Sequence, residues 1–183
     1  MTKYIALLRG INVGGKNIIK MADLKKELSV LGLQQVETYI QSGNVLFESE
    51  KKENVLQKEI EQMIHEKFGF QVPVVLRNLQ EMNKIVAQCP YSEHEVETAK
   101  SQTDREVFYL IFFDEAPSEE ELERFTNTKS SRESFQLIGK NMYLLLNDGV
   151  RFAKISVALQ KTKNTHTIRN WKTVNKLMEL ANK

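Results

Sequence analysis

A tight hairpin placed directly after the first helix constrains this chain more than any other feature. QVETYIQ and NVLFE read as two strands joined at Ser42-Gly43-Asn44, a connection far too short for the crossover that a parallel pair requires. Before them stand a short apolar strand, KYIALLR, and a helix, MADLKKELSVLG, with Met21, Leu24, Leu28 and Leu31 on one face and Gly32 as its stop. After them comes a long amphipathic helix, with Val55, Ile60, Met63, Ile64 and Phe68 at near-helical spacing. QVPVVLR is a further strand, and Pro73 assigns it to a sheet edge or an early bulge. A helix from about Leu79 to Gln88 stops before Pro90. The order β-α-β-β-α-β is that of the split β-α-β, or ferredoxin-like, arrangement. It predicts a four-stranded antiparallel sheet with both helices on one face.

The same order starts again beyond a polar stretch, Ser92–Asp104, which reads as a linker. REVFYLIFF is a strand. SEEELERF opens a helix, with Ser118 as N-cap and Glu121 in the capping-box position. FQLIG and NMYLLLN are strands around Gly139-Lys140, and VRFAKISVALQ is a helix with Phe152, Ile155 and Leu159 inward. No fourth strand is evident in this half. IQSGNVLF aligns with LIGKNMYL without gaps and sets Asn44 against Asn141. NWKTVNKLMELA closes the chain as a helix with Trp171, Val174, Leu177, Met178 and Ala181 on its apolar face. The expected fold is therefore α+β: two related ferredoxin-like halves with antiparallel sheets, residues 1–91 and 105–183, joined by 92–104 and ending in a C-terminal helix.

Composition narrows the class without naming a reaction. The chain of 183 residues is 41% hydrophobic and 27% charged, as in ordinary globular domains. Its one cysteine, Cys89, excludes an intrachain disulfide and suits a reducing compartment. The apolar run Tyr4–Leu8 is too short for a signal-peptide core, and no later run approaches a membrane span. A cytoplasmic location with no membrane partner is the expectation. Charge is unevenly spread: Ser92–Phe135 carries 12 acidic and 5 basic residues, whereas Arg151–Lys183 carries 8 basic and 1 acidic. Either these segments neutralise each other or are simply solvated, or the basic tail meets an anion.

LLRGINVGGKNI fits G-x-x-x-x-G-K from Gly10 to Lys16. A nucleotide-hydrolysing P-loop is nevertheless disfavoured. Asn17 stands where a Mg²⁺-binding Ser or Thr belongs, and Ile18-Ile19-Lys20 intervene before the helical period begins. YLIFFD, ending at Asp114, resembles a Walker B strand, but the hairpin contradicts the parallel sheet that such enzymes use. Two readings survive. Gly10, Gly14 and Gly15, flanked by Arg9 and Lys16, form a nest of backbone N–H groups for a phosphate or carboxylate, or they form only a tight turn.

Other clusters carry the same ambiguity. Gln41, Ser42 and Asn44 are polar tips of a hairpin, or substrate-orienting groups; no histidine is placed to activate Ser42. Thr167, Arg169 and Asn170 precede the last helix, where hydroxyls, an amide and a guanidinium beside helix N–H groups compose an anion site or a helix cap. Arg151, Lys154 and Lys161 would enlarge it. Cys89 and His94 have no partner cysteines, so neither a metal site nor a cofactor is expected. His65 and His166 are isolated.

RGINVGGKN, then TYIQSGNVLF, then TIRNW near the end resemble an uncharacterised bacterial family, domain of unknown function 1697. The matching residues are Arg9 to Gly15, Tyr39 to Val45, and Arg169, Asn170 and Trp171. Lys20 departs from the family, whose members often carry proline there. The resemblance implies an α+β protein with ferredoxin-like parts, and no activity, substrate or catalytic residue. Three functional readings follow from the residues. The first is a binding protein for a phosphate-bearing ligand, a nucleotide or an RNA, held by Arg9, Lys16 and the loop amides together with Thr167, Arg169 and Asn170. The second is a small enzyme with Asn12, Gln41, Ser42, Asn44 and Arg9 between the halves. The third is an interaction or oligomerisation module. The sequence leaves the oligomeric state open.

Overall fold

The computed structural model describes residues 1–130, 133–146 and 154–183. The chain divides into two units, Met1–Lys84 with Lys176–Lys183, and Ile85–Asn175. It passes from the first to the second within one helix and returns within the last.

In the first unit the elements are β1 (Thr2–Leu8), α1 (Met21–Val30), β2 (Gln34–Tyr39), β3 (Asn44–Ser49), α2 (Glu53–Phe68), β4 (Val74–Asn78) and α3 (Leu79–Ala87). The sheet order is β2-β3-β1-β4 with every pair antiparallel, which is compatible with the ferredoxin-like reading. Strand alternation builds the core. Tyr4, Ala6, Leu8, Val45, Phe47, Val74 and Leu76 join Leu24 and Leu28 of α1 and Leu56, Ile60 and Ile64 of α2 in one apolar cluster. The intervening residues Ile5, Leu7, Leu46, Val75 and Arg77 are also buried, so this sheet is covered on both faces. Pro73 stands just before β4, an edge strand, where its missing N–H costs no ladder bond.

The second unit contains α4 (Glu93–Lys100), β5 (Phe108–Phe113), α5 (Glu119–Thr126), β6 (Glu133–Ile138), β7 (Asn141–Leu146), α6 (Lys154–Gln160), β8 (His166–Asn170) and α7 (Trp171–Ala181). Its sheet order is β6-β7-β5-β8, again antiparallel throughout. Two differences from the sequence reading stand out. The stretch taken as a linker holds α4, opened by a capping box between Ser92 and Glu95. The missing fourth strand is present as β8, which pairs Leu110 with Arg169 and Phe112 with Thr167. Ile111, Phe113, Phe125, Phe135, Met142, Leu144, Ile155 and Leu159 form the core under α5 and α6. On the other sheet face Trp171 lies against Phe108 with ring centroids 4.7 Å apart, and the Tyr143 hydroxyl donates to the Ile85 carbonyl at 2.6 Å. Trp171 is thus a packing residue. Phe152 and Arg151 lie outside the described residues.

The second unit depends on one carboxylate. Glu121 is buried and closes the α5 capping box with Ser118, its Oε2 accepting the Ser118 N–H at 2.9 Å. Its Oε1 accepts the Thr162 hydroxyl and, at 3.0 Å, the Lys163 N–H, tying α5 to the turn after α6. The Thr162 bond, ahead of the Ser118 and Lys163 bonds, holds its carboxyl down to about 2, against burial, which raises it. A carboxyl with a depressed folded-state pKa stabilises fully above its unfolded value and loses that contribution as pH falls through the folded one. A shift of this size corresponds to ~3 kcal/mol. Acid titration of folding should therefore show a loss of stability between about pH 4.5 and pH 2. Glu121→Gln should lower stability near neutrality by ~2–3 kcal/mol and flatten that acid limb in a urea-melt series.

Candidate functional site

The glycine loop between β1 and α1 folds as a second, smaller hairpin. Val13 and Lys16 form an antiparallel bridge, with the Lys16 N–H donating to the Val13 carbonyl at 3.1 Å and the Asn12 N–H to the Asn17 carbonyl at 3.1 Å. Gly14 and Gly15 occupy the two central positions with φ of 58° and 74°, the left-handed pair that a type I′ turn demands. A Cβ on either glycine would meet nothing within 4 Å. Glycine is needed here for its backbone conformation and not for a close approach. Helix α1 begins only at Met21, so the loop lacks the strand-loop-helix geometry of a P-loop.

Asn12 holds this hairpin to the rest of the unit. Its backbone is left-handed, φ 55°, which asparagine tolerates better than most residues. Its side-chain Nδ2 donates to the Ile19 carbonyl at 3.0 Å and to the Gln41 carbonyl at 2.9 Å, while Oδ1 accepts the Ile19 N–H at 2.9 Å. One amide thus joins both ends of the glycine loop to the β2–β3 turn. Asn17 Nδ2 donates to the Gly10 carbonyl at 3.2 Å and closes the base of the loop.

The β2–β3 turn packs into the space this creates. Gly43 has φ 77°, and a Cβ there would lie 2.7 Å from Leu8 Cβ and 2.8 Å from Ile11 Cδ1. Its carbonyl accepts the Leu8 N–H at 2.8 Å. Asn44 is fully buried, and its Nδ2 donates to the Tyr39 carbonyl and to Ser42 Oγ, each at 3.0 Å. The segment before β4 joins the same rim, since the Arg9 N–H donates to the Pro73 carbonyl at 2.9 Å.

The sequence candidates therefore separate into two kinds. Gly10, Asn12, Gly14, Gly15, Ser42 and Asn44 shape the rim. Arg9, Lys16 and Gln41 have exposed side chains on it, and among the described residues neither Arg9 nor Lys16 has a side-chain hydrogen bond or ion pair. In the second unit Thr167 and Arg169 are buried on β8, not at an open helix start. Arg169 Nη1 donates to Thr167 Oγ1 at 2.7 Å and to the Ile168 carbonyl at 2.8 Å, and burial lowers its pKa to about 10. Asn170 accepts the Thr173 N–H at 2.8 Å and so caps α7. Cys89 is half-buried with a raised thiol pKa, caused chiefly by burial. Among the described residues no group of three or more His, Cys, Asp or Glu is placed to hold a metal ion, and no helix is long and apolar enough to cross a membrane.

One further cation, Lys20, was not among the sequence candidates and is exposed in the same loop. It was detectable. The three segments that meet at the rim, Arg9–Ala22, Thr38–Phe47 and Gly69–Leu76, contain no acidic residue, in a chain that has 24 of them.

The segments that build this rim lie within a family match. The family model for a protein of unknown function (DUF1697) matches residues 1–143. The chain belongs to this family. It is also similar to a conserved bacterial protein from Streptococcus pneumoniae, with a TM-score of 0.73 and 27% identity over 98% of each chain. No curated protein matches it. The DUF1697 match covers both motifs that Asn12 joins, and the geometry explains why they occur together in this chain. Gly43→Ala should destabilise by ~2–4 kcal/mol, because strain at positive φ and overlap with the Leu8 and Ile11 side chains add. Asn12→Ala should cost ~1–3 kcal/mol by orphaning backbone groups. Thermal unfolding of the two variants checks both values.

Proposed function

We propose that the chain binds a phosphate-bearing ligand on the rim of its first unit, with Arg9 and Lys16 as the principal anion contacts and Lys20 and Gln41 beside them. The observation that carries this reading is the pairing of exposed cations with three rim segments that bear no carboxylate of their own; Glu61 of α2 meets the third from below, accepting the Val74 N–H at 2.9 Å. The Asn17–Gly10 bond ties the two sides of the loop together, and Arg9 and Lys16 each stand one residue before one of its partners. A guanidinium recognises phosphate with paired donors and a lysine as a point charge. The rim backbone is tethered by Asn12, so little backbone ordering would oppose binding. Thr167, Arg169 and Asn170, proposed from sequence as part of the same site, are better accounted for by the internal bonds described above.

Thermal-shift and titration measurements with inorganic phosphate, nucleotides and short RNAs test this reading. A ligand at 100 times its dissociation constant should stabilise by ~2.7 kcal/mol. Arg9→Ala and Lys16→Ala should each weaken binding ~10-fold or more, leaving stability without ligand nearly unchanged because both side chains are exposed. An absence of response to every anion, or a response untouched by both substitutions, would sink the proposal.

A further inference from the structure

The same rim exposes three β-branched aliphatic side chains: Val13 at 60%, Ile18 at 58% and Ile40 at 48%. They are gathered by the bonds of Asn12. Val13 follows Asn12 itself, Ile18 precedes its partner Ile19, and Ile40 precedes its partner Gln41. Ile40 is held at φ 50°, a conformation that β-branched residues rarely adopt. Isolated exposed aliphatics are ordinary on protein surfaces. Three on one rigid rim, interleaved with Arg9, Lys16 and Lys20, form a surface that is apolar and cationic at once.

A free phosphate compound would satisfy the cations and leave all three aliphatics in water. Single-stranded RNA would find only the half-buried rings of Tyr39 and Phe70 in the rim segments for its bases to stack on. An anionic lipid surface offers both halves of the complement: phosphates at the level of the cations, and hydrocarbon just below. We propose that this rim docks the protein peripherally on an anionic membrane surface. Val13, Ile18 and Ile40 enter the headgroup–acyl boundary, and Arg9, Lys16 and Lys20 lie on lipid phosphates. The proposal rests on the anion-binding reading above and assigns the phosphate to a lipid headgroup.

Vesicle co-sedimentation tests it, using phosphatidylcholine vesicles and vesicles enriched in phosphatidylglycerol. The protein should bind only the enriched vesicles, and less as salt is raised, because surface charge is screened. Val13→Gln and Ile18→Gln, which remove the apolar branch without adding charge, should each lower the bound fraction at limiting lipid by ~10-fold. Both positions are exposed, so the melting temperature and the thermal shift with inorganic phosphate should be retained. If inorganic phosphate stabilises the protein in an Arg9-dependent way but enriched vesicles bind none, the lipid assignment falls and the anion site stands. Failure of both assays overturns both. Vesicle binding indifferent to the two glutamine variants, short RNA bound in place of vesicles, or low-salt self-association with no vesicle binding each overturns the lipid proposal.

Discussion

The first unit is organised around the side chain of Asn12. A loop of twelve residues between a strand and a helix would ordinarily be variable in shape, because each ordered residue loses conformational entropy. Here one amide saturates three backbone groups on two separate segments, and those groups would otherwise need water or each other. Its left-handed backbone starts the small hairpin whose tip is Gly14-Gly15. The same bonds bring the β2–β3 turn close enough that only glycine fits at position 43. The separation of RGINVGG and YIQSGNV along the chain therefore hides one compact structural unit.

The two halves use one scaffold with different rims. The Leu8 N–H meets the Gly43 carbonyl, and the Phe113 N–H meets the Lys140 carbonyl; the Arg9 N–H meets the Pro73 carbonyl, and the Asp114 N–H meets the Thr165 carbonyl. Asn44 pairs with the penultimate residue of β1, and Asn141 with the penultimate residue of β5. β4 ends in Arg77-Asn78 and β8 in Arg169-Asn170, and each asparagine accepts the N–H three residues on to cap the helix that follows. Against that common frame the position of Arg9 is taken by Asp114, and the acid-free glycine loop by a connection leading through Glu115 to the acidic start of α5. Function commonly resides in such loops while the frame is shared. The acidic middle of the chain is partly this inversion.

How far the sequence reached depended on what each signal measures. Turn chemistry and helical spacing were enough for the β-α-β-β-α order, because both are local. β8 carries no clear strand signal because HTIRN places a threonine and an arginine on a buried face, which breaks the apolar alternation that marks a strand. α4 was passed over as polar, although Ser92 and Glu95 spell its capping box. For the site, composition points to the glycine loop but not to the bonds within it. Asn12 reads as a substrate-orienting group, and Asn44 as that or as a polar hairpin tip; in the structure Asn12 binds backbone and Asn44 binds the Tyr39 carbonyl and Ser42 Oγ. A carboxamide presents the same donors and acceptor to either partner, so only the positions of Ile19, Gln41 and Tyr39 could decide.

The arginines show how burial sorts identical chemistry into different work. Arg77 and Arg169 lie inside strands on the sheet faces opposite the helical cores, and each donates to the carbonyl of the residue before it. A buried guanidinium must keep its donors occupied, since desolvation without partners is costly. Arg169 meets part of that requirement within β8 itself, where Nη1 donates to Thr167 and Ile168, and remains cationic at neutral pH even with its pKa lowered to about 10. Its donors to Thr167 and Ile168 are already committed, so an incoming phosphate would have to break internal bonds before making new ones. Arg9 differs by position alone. It stands one residue beyond the end of β1, its backbone is fixed by Pro73, and its side chain is exposed. Fixed backbone with an exposed guanidinium is the combination that anion recognition needs, and among these three arginines only Arg9 has it.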